Sequence, residues 1–309
     1  MQLWTTNGYL FGEATSAMQK SIRRGWTEQA LYWAFELAGR YPGYVWRRLN
    51  VIVNEDIGIG TPEVITEFWR LPSNPKRTQH DLAYAVCMLC ACRKTRLADR
   101  FMSVEWERDF RWRPIPTGEP GVLAGLMYDA LDAGDEETTL DYALSLDPVD
   151  DGLLWRTLKA AADTMEVDYP FAAEAVPVLK AGCLAQIKGK VRGWESHMFI
   201  AQAILIICRR PELWPLPEVD LPRLPYDHRF DGREVPDVAL DMHTGRGRKM
   251  GRGVEYFFTE GMVVEPEAME YADAYLERFK AVCRAYEAAG GKIEKVPALV
   301  VGSEQLSLF

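Results

Sequence analysis

The stretch YVWRRLNVIV at 44–53 comes back at 152–161 as GLLWRTLKAA, with Trp46 on Trp155, Arg47 on Arg156 and Leu49 on Leu158. At the same offset ALYWAFEL from 30 falls on TLDYALSL from 139, and Met18 on Met127. Further along, HDLAYAVCMLCACRK at 80–94 matches SHMFIAQAILIICRR at 196–210, the register having slipped by a short insertion near 189–195. Such self-similarity constrains a fold more than any single motif, because a repeated segment is one supersecondary unit used again with its elements in the same order. The apolar spacing says what the unit is made of. Ala14, Ala17, Met18, Ser21 and Ile22 form one helical stripe and Ala30, Leu31, Trp33, Ala34, Leu37 and Ala38 another, with no alternating strand pattern between them. The expected fold is all-α, a helical bundle built from two divergent copies of one module, with a C-terminal helix and tail.

Proline and glycine divide the chain further. A first module covers 1–102, a linker 103–119, and a second module 120–215. A Pro-rich connector carrying a basic, glycine-rich loop follows over 216–265. Pro266 then opens a helix over 266–291, with Ala268, Ala272, Tyr275, Phe279, Val282 and Tyr286 on one face and Gly290 and Gly291 at its end. Residues 292–309 form a tail.

A net charge of -9 and a pI near 5.2 argue against a protein that coats nucleic acid with its whole surface, because that binding neutralises phosphates. Any basic site is local, and GRGRKMGRG at 245–253 is the place for it. Arg246, Arg248, Lys249 and Arg252, among exposed glycine N–H groups, suit contact with a nucleic-acid backbone. The alternative is a solvated loop that pairs with acidic surface of its own or a neighbouring subunit.

MQLWTTNGYL has no basic segment followed by an apolar one, so no signal peptide is expected. The apolar runs at 83–92 and 198–208 are too short to span a bilayer. Six cysteines in a chain of this length are no disulfide framework and suit a reducing cytoplasm. Cys87, Cys90 and Cys92 lack a second ligand pair and read as small buried residues rather than metal ligands.

Catalytic signatures are missing. No G-x-x-x-x-G-K-[ST], G-x-S-x-G or H-E-x-x-H occurs, so no nucleotide, metal or other cofactor is expected. Glu55 and Asp56 stand together in NEDIG, but consecutive helical residues point about 100° apart and would not converge on a metal unaided. Their expected role, with Gly58, is structural, as the end of a helix; the second copy has Thr164 and Met165 there. His80, His197, His228 and His243 are scattered, and none defines a nucleophile–base pair.

The segment SAMQKSIRRGWTEQALYWAFELA, followed by YVWRRLNVIVNEDIGIGTPEV and AYAVCMLCACRK, resembles the C-terminal helical region of the RarA (MgsA) family of AAA+ ATPases. The matching positions are Ser16 to Arg23, Ala30 to Trp33, Tyr44 to Leu49 and Asn54 to Gly58, where Asn54 replaces the usual serine. DMHTGRGRKMGRGVEYFFTEG is similar to the family's late segment, a histidine ahead of a glycine-rich and aromatic pattern, with Lys249, Gly251, Gly253, Tyr256 and Phe258 as counterparts. The family's ATPase and lid domains have no counterpart in this sequence. The resemblance therefore implies an oligomerising helical domain related to clamp-loader collars, in proteins that act at stalled replication forks, without ATP-driven activity.

The chain ends in SEQLSLF. Gln305, Leu306, Ser307, Leu308 and Phe309 match the Q-L-[SD]-L-F pentapeptide by which bacterial replication and repair proteins dock on the β sliding clamp. The chemistry suits that use, with Leu306, Leu308 and Phe309 filling an apolar cleft while the Gln305 amide fixes register. The expectation is a non-enzymatic, cytoplasmic accessory protein of DNA replication or repair. Its partners would be the β sliding clamp, DNA through the basic loop, and further copies of itself. A metal-dependent nucleic-acid-processing enzyme, with Glu55, Asp56 or His243 in a site between the modules, is the competing reading.

Overall fold

The computed structural model describes residues 3–72, 76–109, 116–146, 152–188, 194–227, 229, 231–290 and 299–300. Helix dominates these residues, as expected. In chain order the helices are α1 (Phe11–Arg23), α2 (Thr27–Ala38), α3 (Pro42–Ile52), α4 (Glu63–Arg70), α5 (Gln79–Ala91), α6 (Leu97–Phe101), α7 (Ser103–Asp109) and α8 (Pro120–Asp132). They continue with α9 (Glu136–Ala143), α10 (Leu153–Thr164), α11 (Pro170–Lys188), α12 (Trp194–Arg209), α13 (Gly245–Lys249), α14 (Val254–Tyr256) and α15 (Leu276–Ala288). The strands are two short pieces, Pro116–Thr117 and Leu299–Val300, paired in parallel. Among the described residues no helix is long and apolar enough to cross a membrane.

The chain forms two units. The first comprises Met1–Arg96 and Leu213–Ala272, the second Leu97–Glu212 and Asp273–Phe309. In the first, α1 packs on α2, and α5 covers both. In the second, α8 packs on α9, and α12 covers both. Met18 and Met127 are fully buried in the leading helix of each set, and Trp46 and Trp155 are buried in α3 and α10, while Arg47 and Arg156 beside them face outward. The paired Trp-Arg in the sequence is thus one inward and one outward position of a helix, met twice.

Local chemistry starts and stops these helices. Thr78 caps α5: its Oγ1 accepts from the Asp81 N–H at 3.2 Å, and the Asp81 carboxylate accepts from the Thr78 N–H at 2.7 Å. Past the cap α5 is apolar on nearly every side and correspondingly buried from Leu82 to Cys90, Tyr84 excepted. Pro42 and Pro120 sit in the first turns of α3 and α8, where a missing N–H costs nothing.

Three stretches differ from the sequence expectation. The linker expected over 103–119 contains α7. The connector expected over 216–265 belongs largely to the first unit, to which it is tied by hydrogen bonds. Tyr9 Oη donates to Arg233 O at 2.6 Å, Ser16 Oγ to Ala239 O at 2.7 Å, and Glu265 N–H to Arg23 O at 2.6 Å. The helix expected to open at Pro266 begins only at Leu276, after a short 3₁₀ turn at Met269–Tyr271. The reason is competition for backbone groups. Pro266 O accepts from Lys94 N–H at 2.8 Å and Ala268 N–H donates to Lys94 O at 2.7 Å, a strand-like exchange that a helix over the same residues would forbid.

Lys94 also secures this segment with its side chain. Its ammonium is fully buried and donates to Cys90 O at 2.6 Å, Cys92 O at 2.9 Å and Glu265 O at 2.9 Å. Three carbonyls therefore share one cation that has no solvent. Lys94→Met, similar in bulk but without donors, is expected to destabilise the protein by about 1–3 kcal/mol by stranding those acceptors, as read from urea unfolding.

Candidate functional site

The acids of NEDIG do converge, contrary to the geometry expected of an α-helix. After Ile52 the backbone widens into a π-helical turn, Val53–Ile57, which rotates Glu55 and Asp56 toward one guanidinium. Arg23 Nε donates to Asp56 Oδ1 at 2.6 Å, and its Nη2 to Glu55 Oε1 at 2.5 Å. The remaining Nη1 donates to Gly261 O at 2.8 Å. Arg96 Nη1 stands 3.3 Å from both carboxylates, and Gln19 Nε2 donates to Asp56 Oδ2 at 2.8 Å. Arg48 approaches Glu55 Oε2 at 3.7 Å. Gly58 closes the turn with φ 51° and ψ -135°, a conformation that a residue with a Cβ rarely adopts.

Apart from the partly exposed Arg48, all of this is buried. Burial raises both carboxyls, but the outcome differs: Arg23, Arg96 and Arg48 overrule it at Glu55 and hold that group below the usual carboxylate range. At Asp56 burial, reinforced by Glu55, outweighs Arg23 and Arg96 and pushes the carboxyl upward. Two carboxylates facing three arginines form a site with excess positive charge, and a divalent cation there would meet guanidinium groups instead of free oxygens. Among the described residues no group of His, Cys, Asp and Glu is placed to hold a metal. Glu55 and Asp56 are thus engaged with arginine, and Gly58 closes the turn that carries them. Their partners Gln19 and Arg23 lie in α1, so residues far apart in the sequence meet in one network.

The cysteines agree with their expected role. Burial pushes the Cys87 thiol up to about 11 and those of Cys90 and Cys92 up to about 12, which leaves them protonated. Of the histidines, His80 is exposed, His197 Nδ1 lies 2.9 Å from Glu105 Oε1, and His228 falls outside the described residues.

The second cluster surrounds Asp241. Its buried carboxylate takes the Lys20 ammonium at 2.5 Å, the His243 N–H at 3.0 Å and His243 Nδ1 at 3.2 Å from each oxygen. Burial would raise Asp241; the His243 hydrogen bond and Lys20 reverse this and hold it well below the usual carboxylate range. Burial wins at the other end of the pair, lowering Lys20 to about 8 despite Asp241.

The basic stretch that follows is not a loop throughout. Residues Gly245–Lys249 are helical turn α13, capped by Thr244 Oγ1 accepting from Gly247 N–H at 3.1 Å. Gly247 presses against residues 240–241 so closely that a Cβ would fall 2.1 Å from Asp241 O. The turn is fixed to the Asp241 cluster by that contact. Of its cations, Arg252 is committed: it bonds the Asp237 carboxylate at 2.6 Å and the carbonyls of Asp237 and Leu240 at 2.8 and 3.1 Å. Arg246 is half exposed and reaches Glu13 at 3.0 Å, and Arg248 donates to Met242 O at 2.8 Å from an exposed position. Lys249 is exposed as well.

The pentapeptide Gln305–Phe309 lies outside the described residues. Comparison with protein-family models, with curated proteins and with solved structures finds no significant match, so the reading of this chain stands on its residues and their geometry.

Proposed function

We propose that this protein is a non-enzymatic accessory factor of bacterial DNA replication or repair that docks on the β sliding clamp through Gln305, Leu306, Ser307, Leu308 and Phe309. It acts there as an adaptor or modulator. The observation that carries this is the sequence QLSLF at the end of the chain, which satisfies every position of the clamp-docking pentapeptide. Two features of the folded part support it. The segments that resemble the RarA family supply both sides of the Arg23–Glu55–Asp56 network, so they pack as one helical scaffold. That network leaves the adjacent acids engaged with arginine, which removes the carboxylates on which a metal-dependent enzyme would have relied. Arg248 and Lys249, both exposed, remain available to touch DNA held near the clamp, while Arg246 beside them also pairs with Glu13.

Titrating purified clamp with the full chain and with a version lacking Gln305–Phe309 tests the proposal. Binding by the full chain and none by the shortened one, with unchanged circular dichroism, is the expected result; undiminished binding would reject it. Within the full chain, Leu308→Ala and Phe309→Ala are each expected to weaken binding by roughly 2 kcal/mol or more, as anchors of a small interface do.

A further inference from the structure

His243 is exposed without being loose. Its side chain is 56% accessible, yet both ring positions near the protein are committed. Nδ1 faces the two oxygens of Asp241, and the ring meets Phe257 edge to face at 4.8 Å. A carboxylate only accepts, so Nδ1 carries the proton and Nε2 is the nitrogen turned to an outside partner. Lys20 already balances the charge of Asp241, so the imidazole is not needed to neutralise it. This is the arrangement in which a buried acid orients a histidine for work at its far nitrogen.

The short turn that follows His243 carries two exposed cations, Arg248 and Lys249. The Arg248 guanidinium is held against the carbonyl of Met242, the residue before His243, by a single bond from Nη1, which leaves its other donors free of any bond to that carbonyl. Lys249 follows on the same short turn, and Gly247 locks the turn to residues 240–241. The nearby acid that pairs with a cation of this turn, Glu13, is taken by Arg246. On a chain of net charge -9, such a concentration of donors suits a compact anion with several acceptor oxygens.

We propose that His243 Nε2, Arg248 and Lys249 form a seat for one phosphate group, with Asp241 as the positioning residue behind it. With a phosphate oxygen at Nε2 the ring donates from both nitrogens, one to each anion, and the two flanking cations reach the remaining oxygens. The phosphate belongs either to a nucleic-acid backbone or to a free nucleotide, since the chemistry is shared. The inference sharpens the DNA contact of the proposed function, assigns the imidazole to it and removes Arg252 from it. It does not depend on clamp docking.

Fluorescence polarisation of a labelled oligonucleotide with the full chain tests it. His243→Gln, Arg248→Ala and Lys249→Ala are each expected to weaken binding about tenfold, and the last two to flatten the slope of log K against log salt by about 1. Arg229→Ala, which removes an exposed cation elsewhere, is the control and leaves binding unchanged. Displacement of the oligonucleotide by a mononucleotide or inorganic phosphate at millimolar concentration assigns the seat to free phosphates. Resistance to both assigns it to a strand. No binding by the full chain, or equal losses in Arg229→Ala and Lys249→Ala, overturns the proposal. The chain lacking Gln305–Phe309 should bind the oligonucleotide normally, so a failed clamp experiment and a failed phosphate experiment are told apart.

Discussion

Arg23→Ala is expected to lower the stability of the first unit by about 3–5 kcal/mol, enough to unfold a marginal domain at physiological temperature. The size follows from what the guanidinium holds. It bonds Asp56 at 2.6 Å, Glu55 at 2.5 Å and Gly261 O at 2.8 Å, and every one of these side chains is buried. Without it, Arg96 alone faces both carboxylates closely, at 3.3 Å, and Glu55 retains the more distant Arg48. An unpaired buried charge costs far more than a lost surface salt bridge, for which the comparable figure is about 0–1 kcal/mol. Arg23→Lys keeps the charge but not the fork that reaches three acceptors, so it should recover only part of the loss. Urea unfolding followed by tryptophan fluorescence reads the effect as a shift of the unfolding midpoint to lower denaturant. A midpoint unchanged in Arg23→Ala would mean that the network contributes nothing net.

The second large effect is expected at Asp241. Asp241→Ala leaves the Lys20 ammonium buried without its counter-ion and frees the His243 ring, for a cost again of about 3–5 kcal/mol. The same site makes a pH prediction with a definite sign. Asp241 has its carboxyl held below the ordinary value of 3.8, so its contribution is complete above that value and is lost as pH falls below it. The stability gap between the wild type and Asp241→Asn should therefore close as pH falls below that value. Acid titrations of both, followed by circular dichroism, check this; a gap that widens toward low pH would reverse the assignment.

Much of the fold was legible because helical periodicity and the repeat reinforce each other. Met18 with Met127 and Trp46 with Trp155 lie in corresponding helices because both copies bury the same positions. The cysteines of α5 were equally plain, since an apolar run of that length has to be inside. The charge network was only half visible. NEDIG marked its acids, but the π turn that aims Glu55 and Asp56 together has no periodic signature, and Arg23 is separated from them by two entire helices, α2 and α3. A buried stripe carrying Gln19 and Arg23 instead of apolar residues was the available signal. The late start of α15 was hidden for a related reason, because the residues after Pro266 have a helical pattern but give their backbone to Lys94. His243 gained meaning only when Asp241, two positions earlier, turned out to be buried with Lys20.

The central claim is that the last residues alone carry the recognition of the clamp. Calorimetric titration of the sliding clamp with a synthetic peptide of residues 303–309 tests it most directly. Saturable binding that competes with the full protein, and that disappears when the two leucines and the phenylalanine are replaced by alanine, is the expected result. A peptide that fails to bind a clamp to which the full chain binds would place the recognition elsewhere and contradict the account.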